Sequence, residues 1–270
     1  APAAGTVVST GTNVTLTANA ADSDGTVAKV EFYSGTTLIG TAAIAPYTAT
    51  WTNPGSGSYS LTARATDNDG ATTTSSPVSL RVNTAPTVSV TSPSAGAVLN
   101  AAPNITVTAS ATDGDGTVSR VDFYQLATLI GTAAGAPYSI AWASPAPGNY
   151  SLRAAATDND GATTISTPVG VRVNAPPTAS LTAPGSGASY SAPASIALSA
   201  SAADTDGMIA RVEFWQGATL LAALTSPPYT YTWSNVPAGS YSLTVKATDN
   251  DGGITTSASV AVTVTSATAQ

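Results

Sequence analysis

Cysteine and histidine are both missing from this sequence of 270 residues. The first absence excludes disulfides, thiolate metal sites and thiol redox chemistry. The second removes the commonest general base and the usual zinc ligand. Charge is scarce as well: charged residues make up 9% of the chain, and only eight of them are basic. A net charge of −7 with scattered Lys and Arg argues against a nucleic-acid partner, because phosphate binding needs clustered cations. No run of about 20 apolar residues occurs, so no membrane insertion is expected. No basic n-region and apolar h-region open the chain, and the start at Ala1-Pro2 reads as processed or trimmed.

What is present is strictly periodic. All 15 acidic residues occupy five positions of a repeat spaced by 91 residues. The first set is Asp22, Asp24, Glu31, Asp67 and Asp69. The second is Asp113, Asp115, Asp122, Asp158 and Asp160. The third is Asp204, Asp206, Glu213, Asp249 and Asp251. Trp51, Trp142 and Trp233 keep the same spacing, as do Phe32, Phe123 and Phe214, and Tyr59, Tyr150 and Tyr241. The chain therefore reads as three copies of one domain, over 1–83, 84–174 and 175–270. Each is large enough for one modest core and too small for a large enzyme pocket.

Within the second copy, seven short segments alternate apolar and polar residues: 87–91, 104–110, 118–124, 129–132, 138–142, 150–156 and 169–173. Gly, Pro, Asn and Asp separate them, and no helical periodicity appears. The pattern predicts an all-β fold of three tandem Ig-like antiparallel β-sandwiches. The Trp and Phe sets are expected in the core. Tyr59, Tyr150 and Tyr241 match a tyrosine corner, whose hydroxyl ties back to nearby backbone. The linkers Asn83-Thr84-Ala85-Pro86 and Asn174-Ala175-Pro176-Pro177 are short and stiffened by proline, which predicts a rod. The first copy lacks its leading strand, since Ala1 aligns with Ser92. Either a longer chain was cut there or a neighbouring molecule supplies the strand by β-augmentation.

Each copy carries Asp-x-Asp-Gly after its second strand, at 22–25, 113–116 and 204–207. Each carries Asp-Asn-Asp-Gly after its sixth, at 67–70, 158–161 and 249–252. In this topology the two loops lie side by side, so four carboxylates converge and repel. No arginine lies within either loop to neutralise them. A hard cation resolves the repulsion, and Ca²⁺ accepts six to eight carboxylate, amide and carbonyl oxygens. Asp22, Asp24, Asp67, Asp69, Asp113, Asp115, Asp158, Asp160, Asp204, Asp206, Asp249 and Asp251 are the candidate ligands, although Asp, Asn and Gly also simply make good turns. Asn83 and Asn174 enter at the same end and are secondary candidates. Glu31, Asp122 and Glu213 are weaker ones, since a cross-strand pair with Arg64 or Lys246 competes for them.

The stretches ADSDGTVAKVEFYSGTTLIGT, APYTATWTN and GSYSLTARATDNDGATTTS, with their counterparts in the other copies, resemble the bacterial Ig-like modules found in tandem in secreted polysaccharide-degrading enzymes and surface proteins. The resemblance implies an Ig-like sandwich, an extracellular location, a spacer or attachment role beside other domains of a larger protein, and no catalytic site. Three functions follow for comparison. The first is a non-catalytic spacer stiffened by Ca²⁺. The second is a carbohydrate-binding or adhesive module that stacks polysaccharide on Trp215, Tyr124 and Tyr33. The third is a fibre subunit that joins copies of itself by strand addition. An enzyme is disfavoured, because the acids sit in tight turns without cleft residues and serine triads lack a histidine.

Overall fold

A computed structural model describes residues 1–101 and 104–266. Those residues form 26 strands and no helix. The cause is visible in the sequence: two-residue alternation of Val, Leu, Ile and Phe against Thr and Ser favours pleated, half-buried strands, and Gly, Pro and Asx turns break every run. By its own contacts the chain divides into two compact units. One comprises Ala1–Ser92, Val107–Ile140 and Arg153–Pro168, and the other Pro93–Thr106, Ala141–Leu152 and Val169–Gln270.

The first unit holds the whole first repeat. Its larger sheet has the order Thr6–Ser9, Val78–Asn83, Gly57–Asp67, Val27–Ser34, Thr37–Ala42, with Thr72–Thr74 on the flank of Gly57–Asp67. The facing layer is Val14–Ala18 paired with Tyr47–Trp51. Between them lie Val14, Leu16, Val30, Phe32, Leu61, Leu80 and Val82. The same unit pairs Thr87–Ser92 antiparallel with the end of Asn104–Thr112, and Val118–Gln125 with Thr128–Ala133.

The second unit holds the third repeat, with the sheet order Ala188–Ser191, Val260–Thr265, Gly239–Asp249, Ile209–Gln216, Thr219–Leu224. Its facing layer is Thr178–Ala183, Ala194–Ala203, Thr230–Val236. The core is built on Ile196, Leu198, Val212, Phe214, Leu243, Val245, Val262 and Val264.

All seven strands expected in the second repeat are present, each within a few residues of its predicted limits. Two more occur, Val98–Asn100 and Thr163–Ile165. Three residues are too few for alternation to register. The sandwich is also not wholly antiparallel, because Thr6–Ser9, Val98–Asn100 and Ala188–Ser191 each run parallel to the last strand of their repeat.

The Phe set lies in the core as expected, whereas of the Trp set Trp142 is buried and Trp51 and Trp233 are half-buried against the core. Phe123 and Phe214 are fully buried. Each Trp meets its Tyr edge to face, with Trp51–Tyr59 at 4.9 Å and Trp142–Tyr150 at 4.8 Å. The tyrosine hydroxyls donate four residues back, to the carbonyls of Gly55, Ala146 and Pro237. Because Phe214 fills the centre of its core, Phe214→Ala is expected to destabilise the third repeat by about 3–5 kcal/mol. Urea unfolding followed by the emission of Trp233 measures it, and a loss well under about 1 kcal/mol contradicts the placement.

Candidate functional site

The two acidic loops of every repeat do meet. In the first, Asn68 Oδ1 accepts the Thr26 N–H at 2.7 Å, and the Asn68 N–H donates to the Thr26 carbonyl at 3.0 Å. Asn159 does the same to Thr117, and Asn250 to Met208. The last glycine of Asp-x-Asp-Gly permits this approach: a Cβ on Gly116 would lie 2.3 Å from Asn159 Oδ1 and 2.6 Å from Asp113 Oδ2. The last glycine of Asp-Asn-Asp-Gly has a different task. Gly70, Gly161 and Gly252 take φ of 89°, 93° and 83°, the left-handed turn that side chains disfavour. The first acid of that loop anchors the turn. Asp158 Oδ1 accepts the N–H groups of Asp160 at 2.9 Å and Ala162 at 2.8 Å.

The other oxygen of that acid faces the incoming linker. Asn83 Nδ2 donates to Asp158 Oδ2 at 2.8 Å, and Asn174 Nδ2 donates to Asp249 Oδ2 at 2.8 Å. Both aspartates are 2% exposed. The outer acid of each loop is taken by an arginine from the last strand of the preceding repeat. Arg81 Nε lies 2.9 Å from Asp160 Oδ2, and its Nη2 lies 2.8 Å from the Asp115 carbonyl and 3.3 Å from Asp115 Oδ2. Arg172 pairs with Asp206 at 2.8 Å and with Asp251. The linker backbone completes the set, Thr84 N–H reaching Asp115 and Ala175 N–H reaching Asp206. The acids hold both guanidinium pKa values above the ordinary value, Asp160 and Asp251 contributing most.

This corrects the expectation that no arginine neutralises these loops. Arg81 is 34 and 79 residues from its partners, so no local window reveals it. The signal was the 91-residue spacing between Arg81 and Arg172, shared with the acids.

Some acceptors stay unsatisfied. Asn83 Oδ1, Asp113 Oδ2, Asn174 Oδ1 and Asp204 Oδ2 are buried without a hydrogen-bond partner. Among the described residues, no group of three or more acidic side chains is arranged to hold a metal ion. The first repeat differs: Asp24 and Asp69 are exposed, and among the described residues no basic side chain pairs with Asp22, Asp24, Asp67 or Asp69.

The strand acids stand apart from the loops. Glu31 lies opposite Arg64 and is bound by it at 2.6 Å and by Lys29 at 3.0 Å. Asp122 takes Arg120 and the Thr132 hydroxyl. Glu213 lies opposite Lys246, yet its ion pair is with Arg211, two residues along its own strand. The candidate stacking aromatics are half-buried and engaged. Arg64 lies over the Tyr33 ring at 5.0 Å, and the Trp215 indole N–H donates to Glu213. Tyr124 is half-buried as well.

A family model described as the bacterial Ig domain matches residues 1–63, 86–166 and 177–245. The chain belongs to that family. Among solved structures, the I-band fragment I67–I69 from titin is 13% identical, covers 97% of this chain and 95% of its own, and gives a TM-score of 0.56. An E-to-A variant of titin I67–I69 is 14% identical, covers 97% and 96%, and scores 0.55. Both show the fold alone, three tandem Ig domains. The fibronectin(III)-like modules of Clostridium thermocellum CbhA are 32% identical, cover 67% of this chain and 95% of theirs, and score 0.41. A comparison with curated proteins finds no match.

Two outcomes follow from the bacterial Ig geometry. Gly116→Ala forces its Cβ into Asn159 and is expected to destabilise the second repeat by about 1–3 kcal/mol. Gly114→Ala, with open space at its Cβ, is the matched control in the same melting experiment. The Arg64 guanidinium, with Lys29 second, lowers the Glu31 carboxyl from 4.5 to about 2. The stability it adds is complete above the unfolded value and disappears as the pH falls through about 2. Carboxyl ¹³C titration is expected to place the Glu31 midpoint at about 2, and Arg64→Ala to bring it upward.

Proposed function

We propose that the chain is a non-catalytic extracellular spacer whose two inter-repeat junctions bind Ca²⁺. The spacer role rests on tandem bacterial Ig domains whose acids are spent on turns, linkers and ion pairs. Among the described residues no helix is long and apolar enough to cross a membrane. The extracellular reading rests on family membership and on the Ser, Thr, Ala and Gly richness of the sequence.

The observation that carries the calcium reading is the pair of buried, donor-less oxygens at each junction. They are Asn83 Oδ1 with Asp113 Oδ2, and Asn174 Oδ1 with Asp204 Oδ2. A buried acceptor without a donor costs about 1–3 kcal/mol, and a hard cation removes that cost at both atoms together. The residues that would hold it are Asn83, Asp113 and Asp158 at one junction, and Asn174, Asp204 and Asp249 at the other. Arg81 and Arg172 take Asp115, Asp160, Asp206 and Asp251, and neither pairs with Asp113 or Asp204. Glycan stacking has weaker support, since Trp215 and Tyr33 already serve neighbouring side chains.

A thermal melt in Ca²⁺ against EGTA, with calorimetric titration, tests the reading. Ligand bound to the native state alone stabilises it by RT ln(1 + [L]/Kd), about 2.7 kcal/mol at a hundredfold excess over Kd. The expected result is a rise of several degrees and two tight ions per chain, one lost with Asp113→Asn and the other with Asp204→Asn. A melt indifferent to EGTA, with no heat of binding, overturns the calcium part and leaves a spacer whose junctions rest on arginine alone.

A further inference from the structure

We propose that the second and third repeats each carry a shallow site for an acidic polysaccharide, on the outer face of the larger sheet. The unit it takes is a uronate, whose sugar ring lies on an aromatic side chain and whose carboxylate meets a free cation. The site adds a hold on polymer to the spacer role and does not depend on calcium.

Six of the eight basic residues belong to this face. In every repeat a basic, an acidic and an aromatic residue alternate along one strand, as Arg211, Glu213 and Trp215 do in the third. Alternation puts them on the side away from the core phenylalanine. The long strand beside it adds a second cation: Arg64, Arg153 or Lys246. Each face thus holds two positive charges to one negative, in a chain of net charge −7.

The three faces differ in what the second cation does. In the first repeat it is already spent. Arg64 binds Glu31 and the Tyr33 hydroxyl, both at 2.6 Å, and lies over the Tyr33 ring. In the second repeat Ala155 stands at that place. The cation is Arg153, at the position where Thr62 faces Tyr33, one strand across from Tyr124. Arg120 neutralises Asp122 there. In the third, Lys246 lies opposite Glu213, but Arg211 takes that carboxylate. Among the described residues, neither Arg153 nor Lys246 has an ion pair or a hydrogen bond.

The rings beside these cations keep their faces free. The Trp215 indole N–H donates to Glu213 in the plane of the ring, which fixes its tilt and uses neither face. An exposed leucine lies opposite each ring, Leu129 by Tyr124 and Leu220 by Trp215, and widens the apolar floor. Threonines border it, with Thr244 opposite Trp215 and Thr256 opposite Lys246. An apolar floor, hydroxyls at its rim and one unpaired cation match the three parts of a uronate: the C–H face of the ring, its hydroxyls and its carboxylate. An acidic peptide uses the cation and leaves the floor and the hydroxyls without a task. The acidic loops do not repel the polymer from here. Asp249 is three strand residues from Lys246, about 10 Å, beyond the screening length of about 8 Å at physiological salt.

Affinity electrophoresis of the whole chain through gels containing polygalacturonate, with EGTA throughout, tests the site. Methyl-esterified polygalacturonate keeps the sugar ring and loses the charge, and polyglutamate keeps the charge and loses the ring. Polygalacturonate is expected to retard the chain, and the two comparison polymers to do so at least about threefold less. Lys246→Ala and Arg153→Ala, both outside the core, each weaken the retardation about two- to fivefold, and Trp215→Ala about tenfold. Tyr33→Ala leaves it unchanged, since Arg64 already covers that ring. An absence of retardation by polygalacturonate overturns the proposal, as does retardation indifferent to the Arg153, Lys246 and Trp215 substitutions. Equal retardation by polyglutamate overturns it in favour of a peptide-docking face, and equal retardation by the methyl ester in favour of a neutral sugar.

Discussion

An asparagine side chain that crosses from one loop to the backbone of another holds the acidic end of every repeat together. Asn68, Asn159 and Asn250 each close this bridge, and each needs a glycine opposite it to come so near. Once the bridge is closed, the aspartates on either side of it point at the place where the preceding repeat arrives. Everything at the junctions follows from that crowding. At the two junctions, the linker and the strand before it bring donors to the charge gathered there.

The division of labour among those donors is set by burial. Asp158 is nearly inaccessible, and an isolated buried carboxylate costs several kcal/mol. It is met by two backbone N–H groups and the Asn83 amide, each a charge-assisted bond worth about 1.5–3 kcal/mol. Directional neutral donors suit such a site, because they bring no second charge to desolvate. Arg81 works further out, on Asp115 and Asp160, where its guanidinium keeps contact with water. The inner acceptors that neither donor reaches, Asp113 Oδ2 and Asn83 Oδ1, are the residue of this arrangement.

Much of this was legible in the sequence, for a physical reason. Alternation is a property of consecutive residues, so the seven main strands of the second repeat and the tyrosine hydroxyl bonds could be read directly. The meeting of the two loops was legible because sandwich topology fixes it. What escaped depends on contacts between distant residues or on very short runs. Arg81 reaches forward into the next repeat, which no local pattern encodes. Glu213 faces Lys246 in register but pairs with Arg211, a choice of side-chain direction and not of spacing. Val98–Asn100 is held parallel to Arg172–Asn174 by three rungs, too few to leave a periodic trace.

The invariance of the 91-residue period has a mechanical explanation in the linker. Arg81 and Asn83 belong to the register of one repeat, and Thr87–Ser92 to the register of the next. A strand places alternate residues on opposite faces, so one inserted residue turns Val88 and Val90 to solvent or pulls Asn83 away from Asp158. Length is thus fixed from both sides at once, whereas an ordinary surface loop tolerates insertion. The third repeat shows which letters this constraint governs. It keeps the Phe, Trp and Tyr of its own core, but Thr263 and Thr265 replace the arginine and asparagine. Core residues answer to their own repeat, and the arginine and asparagine answer to the repeat that follows.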